Sequence, residues 1–213
     1  MASIAGREIS ENFERTRSSS IERSWMEARL QRAAPADVGA PLQMADTPVH
    51  TQGDAPDCLL QCARMAEHRQ TGLDPGLEVY KNRAQQEGIY NPETGTNAEK
   101  FAGIMAERPG LYVESGSAQG PEAIESALDQ GKSVIIGVDA YKYYRSEANL
   151  EPNSGGHALV VTGAEQQADG AWQFAVNDPN DSSPNLPVDG SRLLPAWSDA
   201  GRMMMTIEAR PGG

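Results

Sequence analysis

Thiol catalysis needs a nucleophile, a base that holds it as thiolate, a group that orients the base and a donor for the oxyanion. Cys58, His157, Asp178 and Gln52 are of those types, and they occur in an order consistent with the roles. Cys58 closes the run Gln52-Gly-Asp-Ala-Pro-Asp-Cys58 and opens a stretch patterned as a helix. Asp54 is placed to cap that helix, and Pro56 suits its first turn, where no backbone donor is missed. Leu59, Cys62, Ala63 and Ala66 recur at i, i+3, i+4 and i+7, which makes one apolar stripe. Cys58 therefore falls in the first turn, where unpaired N–H groups and the helix dipole favour a thiolate, whereas Cys62 falls in the core. Cys58 is the expected nucleophile. His157 follows Gly155-Gly156, which lets backbone and substrate approach, and it starts an apolar strand that would fix it. Asp178 ends the neighbouring strand, within reach of the far imidazole nitrogen. Gln52 offers a side-chain amide to an oxyanion beside the Cys58 N–H.

The elements that must position these groups divide the chain in two. Residues 1–32 read as a polar helix with a Ser19–Glu22 capping box and a thin stripe of Ile21, Trp25 and Ala28. Residues 33–47, rich in Ala, Pro and Asp, read as a linker, so the catalytic domain is expected over 48–213. After the Cys58 helix come a helix from Asp74-Pro75 to about Gln86, one capped at Thr96–Glu99, a short strand at Leu111, and a helix opened by Pro121. The second half changes character. Ser133–Val138, Gly156–Gly163, Ala171–Val176 and Met203–Ala209 are strands, joined by loops rich in Asn, Ser, Gly and Pro. Helices followed by antiparallel strands make an α+β fold.

Composition narrows the function. Eighteen Lys and Arg against thirty Asp and Glu give a net charge of −12, which argues against direct nucleic-acid or anionic-membrane binding. Residues 1–32 carry six Arg and five Glu, +1, which leaves −13 for the remainder. An acidic body suits a protein or peptide substrate with basic segments. No run reaches the ~20 apolar residues of a membrane span, and the N-terminus lacks a secretory h-region. Two cysteines four residues apart make no disulfide framework or zinc pattern, so no metal or organic cofactor is expected and a reducing, cytoplasmic setting is the simplest. Export, if any, would use a route that reads no signal peptide, into a target cell.

The motifs Gln52…Asp57-Cys58, Gly131-Lys-Ser-Val-Ile-Ile-Gly-Val138, Gly156-His157-Ala-Leu-Val-Val-Thr-Gly163 and Val176-Asn-Asp-Pro179 resemble the papain-like cysteine peptidases. Within them they resemble the bacterial peptidases that remove double-glycine leaders. The resemblance implies a papain-like fold, a Cys58–His157 pair, Asp178 as orienter with Asn177 as its competitor, and Gln52 at the oxyanion hole. It also implies cleavage after Gly or Gly-Gly. The sequence departs from the family in placing Leu59 where Gly usually stands, and in carrying Asp57, whose charge opposes a thiolate at Cys58. No transporter domain follows, which suits a free-standing peptidase, a bacterial toxin or effector with a cognate inhibitor.

Plainer readings stand beside these. Asp178 serves equally as a turn former before Pro179. His50 shares the face of Gln52 on an extended segment, yet read alone it is a surface histidine, as is His68. Trp172 and Phe174 alternate into a core, and Trp197 lies in a loop where it would wall a cleft. Two rival functions remain: a glutamine deamidase or transglutaminase-like acyltransferase with the same thiol chemistry, and a binding module on a retired peptidase fold.

Overall fold

The computed structural model describes residues 42–144 and 155–211, so the expected helix within residues 1–32 lies outside it. Helix α1 spans Cys58–Thr71 and α2 Leu77–Gln86. A small hairpin, β1 (Tyr90–Asn91) with β2 (Gly95–Thr96), leads into α3 (Ala98–Ala106). Then follow β3 (Leu111–Ser117), α4 (Glu122–Asp129), β4 (Ser133–Asp139) and the short α5 (Ala140–Tyr144). The chain closes with β5 (Gly156–Gln166), β6 (Trp172–Asn177), β7 (Leu186–Asp189), α6 (Gly190–Asp199) and β8 (Met203–Ala209).

One six-stranded antiparallel sheet, ordered β3-β8-β4-β5-β6-β7, carries the fold. Its central strands are apolar on both faces because both are covered. Ile135, Ala158, Val160, Met205 and Ile207 pack under α1, α2 and α3 with Leu59, Leu60, Met65, Tyr80 and Phe101. Val134, Ile136, Val138, Leu159 and Val161 pack on the opposite face against Ile124 of α4 and Leu193, Ala196 and Trp197 of α6. Alternation in β4 and β5 thus sends neighbouring side chains to two separate cores. The α+β reading holds, with helices on both faces rather than one.

Several local expectations are corrected. Helix α1 begins at Cys58 itself. Asp57 is its N-cap and makes no side-chain capping bond, while Asp54 lies outside the helix. A tight turn, with Gly53 at φ 61° and Asp57 N–H donating to the Ala55 carbonyl, keeps the preceding residues out of it. The helix stops at Gly72, left-handed at φ 72°, whose N–H returns to the His68 carbonyl. Helix α3 is capped by Asn97, which accepts from Lys100 N–H, not by Thr96. Strand β7 and helix α6 occupy a stretch expected to be loop. Asp189 caps α6 by accepting from Ser191 N–H, and Pro195 inside it masks the helical pattern. Trp197 is consequently a core residue, 2% exposed, and its indole N–H donates to the Met203 carbonyl.

Residues 42–47, expected as linker, lie against the sheet. Ala45 N–H donates to the Thr162 carbonyl at 2.7 Å, and Asn177 Nδ2 donates to the Thr47 carbonyl at 2.9 Å. No helix among the described residues is long and apolar enough to cross a membrane.

Candidate active site

The site forms where α1 starts, β5 starts and β6 ends. Helix α1 lies across β5 and β4, which brings its first turn to the end of the sheet. Cys58 is half-buried there, with its thiol hydrogen-bonded to the His157 side chain and approached by the N–H groups of Ala158 and Leu59. His157, 5% exposed, donates through Nε2 to Asp178 Oδ1 at 2.9 Å. The nitrogen left facing Cys58 is Nδ1. Asp178 is fully buried, and its oxygens also accept from the Tyr144 hydroxyl, on Oδ2 at 2.6 Å, and from Asn180 N–H, on Oδ1 at 2.9 Å. The structure therefore brings Cys58, His157 and Asp178 into one hydrogen-bonded row.

Asn177, the competitor for the orienting place, points elsewhere. It is buried and bridges Thr47 and Asn185, donating to the Thr47 carbonyl and accepting from Asn185 N–H at 2.8 Å. Alternation explains this: adjacent residues at a strand end face opposite ways. Gln52 is tied to the same corner by its backbone N–H, which donates to the Pro179 carbonyl at 2.8 Å. Its Oε1 is buried with no hydrogen-bond partner among the described residues.

The charges reinforce one another. Burial alone would raise the Cys58 thiol, but the hydrogen bond and charge of His157 and the two N–H groups outweigh it, so its pKa lies below the ordinary value. Burial opposes a charged His157, yet the Asp178 carboxylate and the Cys58 sulfur together push it up to about 10. Burial likewise disfavours the Asp178 carboxylate, and the His157 charge prevails to hold it below the usual range. All three shifts run in the direction that favours a thiolate facing an imidazolium backed by a carboxylate. Cys62 is the opposite case: completely buried, with its thiol pushed well up by desolvation.

Two features set against the site by sequence are answered by packing. The Asp57 carboxylate, 1% exposed, is met by Lys81 Nζ at 2.8 Å, so its charge is paired rather than left facing Cys58. Leu59 points into the core under α1 and is 4% exposed, so it does not narrow a cleft. Lys81 and Tyr144 were not singled out by sequence. Neither has a local signal, since each meets its carboxylate only through the fold.

His50, His68 and Asp74 form a second cluster, the one His, Cys and carboxylate group among the described residues with the make-up of a metal site. His50 Nε2 lies 3.2 Å from His68 Nδ1, with the rings nearly parallel at 16° and their centres 5.5 Å apart. That separation equals the nitrogen gap plus the two ring radii, so the nitrogens face head-on. Zinc needs converging lone pairs and bonds of ~2.0–2.1 Å, which a 3.2 Å head-on gap does not allow. The arrangement is a hydrogen-bonded histidine pair. Neither ring is the solvated surface residue that sequence alone suggests.

No family model and no curated protein matches this sequence. Solved structures do match. A protein of Bacillus anthracis described as C39-like peptidase is 14% identical, covering 79% of this chain and 98% of its own, with a TM-score of 0.60. The fold is C39-like. Two weaker likenesses are a double-glycine motif protease from a transporter, in complex with its leader peptide, at 16% identity and TM-score 0.43, and UfSP from C. elegans, at 11% and 0.46. The first covers 78% of this chain and 91% of its own; the second covers 87% and 37%. On the C39-like fold of this chain, the row Cys58–His157–Asp178 lies at the seam between α1 and the sheet.

Proposed function

We propose that the chain is a cysteine peptidase. The observation that supports this best is the Cys58–His157–Asp178 row, in which a helix-terminal thiol is hydrogen-bonded to a carboxylate-backed imidazole. The Cys58 thiolate attacks the scissile carbonyl carbon, and its sulfur–carbon bond forms as the carbonyl pair moves to oxygen. The Cys58 N–H and the Gln52 amide receive that oxyanion. His157 passes its proton to the leaving amine, the carbon–nitrogen bond breaks, and an acyl-enzyme remains. Water, deprotonated by His157, then releases the acid and restores the thiolate.

Substrate preference rests on the sequence resemblance. Glycine is expected at the residue donating the scissile carbonyl and at the one before it, because a thiol in a narrow seam admits backbone without Cβ atoms. Basic segments beside the site fit the acidic body. An effector role, checked by inhibitor capture and by toxicity that depends on Cys58, belongs to the same reading.

The test compares proteomes of cells expressing the wild type and Cys58→Ala, read by mass spectrometry. New termini after glycine, absent with Cys58→Ala, are expected. Amide-to-acid conversion without cleavage would replace the peptidase by a deamidase, and no Cys58-dependent change would leave a binding module.

A further inference from the structure

We propose that Tyr144 is a positioning residue of this site: its hydroxyl holds Asp178 in the orientation and ionisation that keep His157 aligned on Cys58. The proposal rests on the peptidase reading above and extends it by one residue.

The geometry is directional. Tyr144 is 1% exposed at the end of α5, and its ring lies 5.6 Å from the His157 ring. Asn180 Nδ2 donates to the Tyr144 oxygen at 3.3 Å, and the Tyr144 hydroxyl donates to Asp178 Oδ2 at 2.6 Å. His157 and Asn180 N–H hold the other oxygen, Oδ1, each at 2.9 Å. The carboxyl torsion of an aspartate is broad and roughly two-fold, so a bond to one oxygen alone fixes it poorly. Donors on both oxygens pin it. A 2.6 Å bond from a hydroxyl to a carboxylate is also of the short, charge-assisted kind. Burial and the Asp178 charge push the Tyr144 phenol well up, so it remains a donor throughout the working range.

Among the described residues, the titratable groups that act on Asp178 include His157 from β5, Tyr144 from α5 and Cys62 from α1, while Tyr143 acts on Tyr144 and Cys58 on His157. Tyr144→Phe keeps the ring and removes the 2.6 Å hydroxyl donor to Oδ2. Asp178 then takes a proton more readily and turns more freely, and either change weakens its hold on the imidazolium. The thiolate at Cys58 is formed against that imidazolium, so its acid limb should move to higher pH.

The test is alkylation of full-length protein by iodoacetamide from acid to alkaline pH, with mass spectrometry assigning the label to Cys58. Wild type should label with a limb below the ordinary thiol value. Tyr144→Phe should move it up by roughly half to one pH unit, about a three- to tenfold slower reaction on the acid side, at an unaltered fold. Should Tyr144→Phe fail to fold, 3-fluorotyrosine placed at 144, a stronger donor of the same shape, should move the limb down. A folded Tyr144→Phe with the wild-type limb, or fluorotyrosine without effect, overturns the positioning role and leaves the peptidase standing. A wild-type Cys58 that titrates as an ordinary thiol overturns both.

Discussion

At the scale of single residues, two cysteines one helical turn apart have opposite fates. Cys58 has the His157 side chain and N–H groups against its sulfur, whereas Cys62 is completely buried, and desolvation with the nearby Cys58 and Asp178 charges raises its thiol. Cys58→Ala and His157→Ala should each abolish peptide hydrolysis, because the pair acts as a unit. Cys62→Ala should keep turnover and lose about 1–2 kcal/mol of stability, read by denaturant melts. The sign of the pH dependence follows from the shifts. Activity should rise as pH climbs through a Cys58 pKa below the ordinary value, and fall as His157 loses its proton near 10. A turnover profile with no alkaline loss up to pH ~11 would contradict the charged pair. Asn177 and Asp178 separate in the same assay. Asp178→Asn should cut turnover and displace the profile, while Asn177→Ala should cost stability, because it removes the bridge from β6 to Thr47.

At the scale of elements, the corner that carries the site is assembled by close backbone contacts. Gly163 lies at a register shift in β5, and a Cβ there would meet the Gln43 carbonyl at 2.9 Å and Leu42 at 3.0 Å. Gly163→Ala should therefore push residues 42–45 off the sheet and cost about 1–3 kcal/mol. Because the same segment runs on to Gln52, the variant should also slow turnover. Thermal melting together with protease nicking near Gln43 checks this. Wild-type nicking with an unchanged melt would mean the segment is held independently of Gly163. Helix α6 meets β6 more tightly still, since a Cβ at Gly190 would lie 2.6 Å from the Trp172 carbonyl. Any side chain there must displace main chain, not a flexible neighbour.

At the scale of the whole molecule, the charge of −12 acts beyond single contacts. Encounter with a basic peptide should be steered, so kcat/KM for a substrate flanked by Lys and Arg should fall as salt rises towards 0.5 M, where the screening length is only a few ångströms. A neutral-flanked peptide should show little change. Equal salt responses for the two peptides would remove the charge from the account of specificity.

The apolar strands, the helix around Cys58 and the candidacy of Cys58 and His157 were legible in residue types and spacing, because periodicity and chemical type are local properties. The start of α1, the cap of α3, strand β7 and helix α6 were not. Asp54 and Thr96 are of capping type like Asp57 and Asn97, and which one stands at the N-cap depends on how the turn before the helix packs. Trp197 could be assigned to a cleft or a core only once α6 lay on the sheet. The choice between Asp178 and Asn177 depended on which face of a strand end each occupies, and the Asp57 charge was resolved by Lys81, twenty-four residues away. Sequence alone determined which groups could do the chemistry. Tertiary structure alone decided which of them meet, because hydrogen bonds and charge pairing depend on distances that only the packed sheet and helices set.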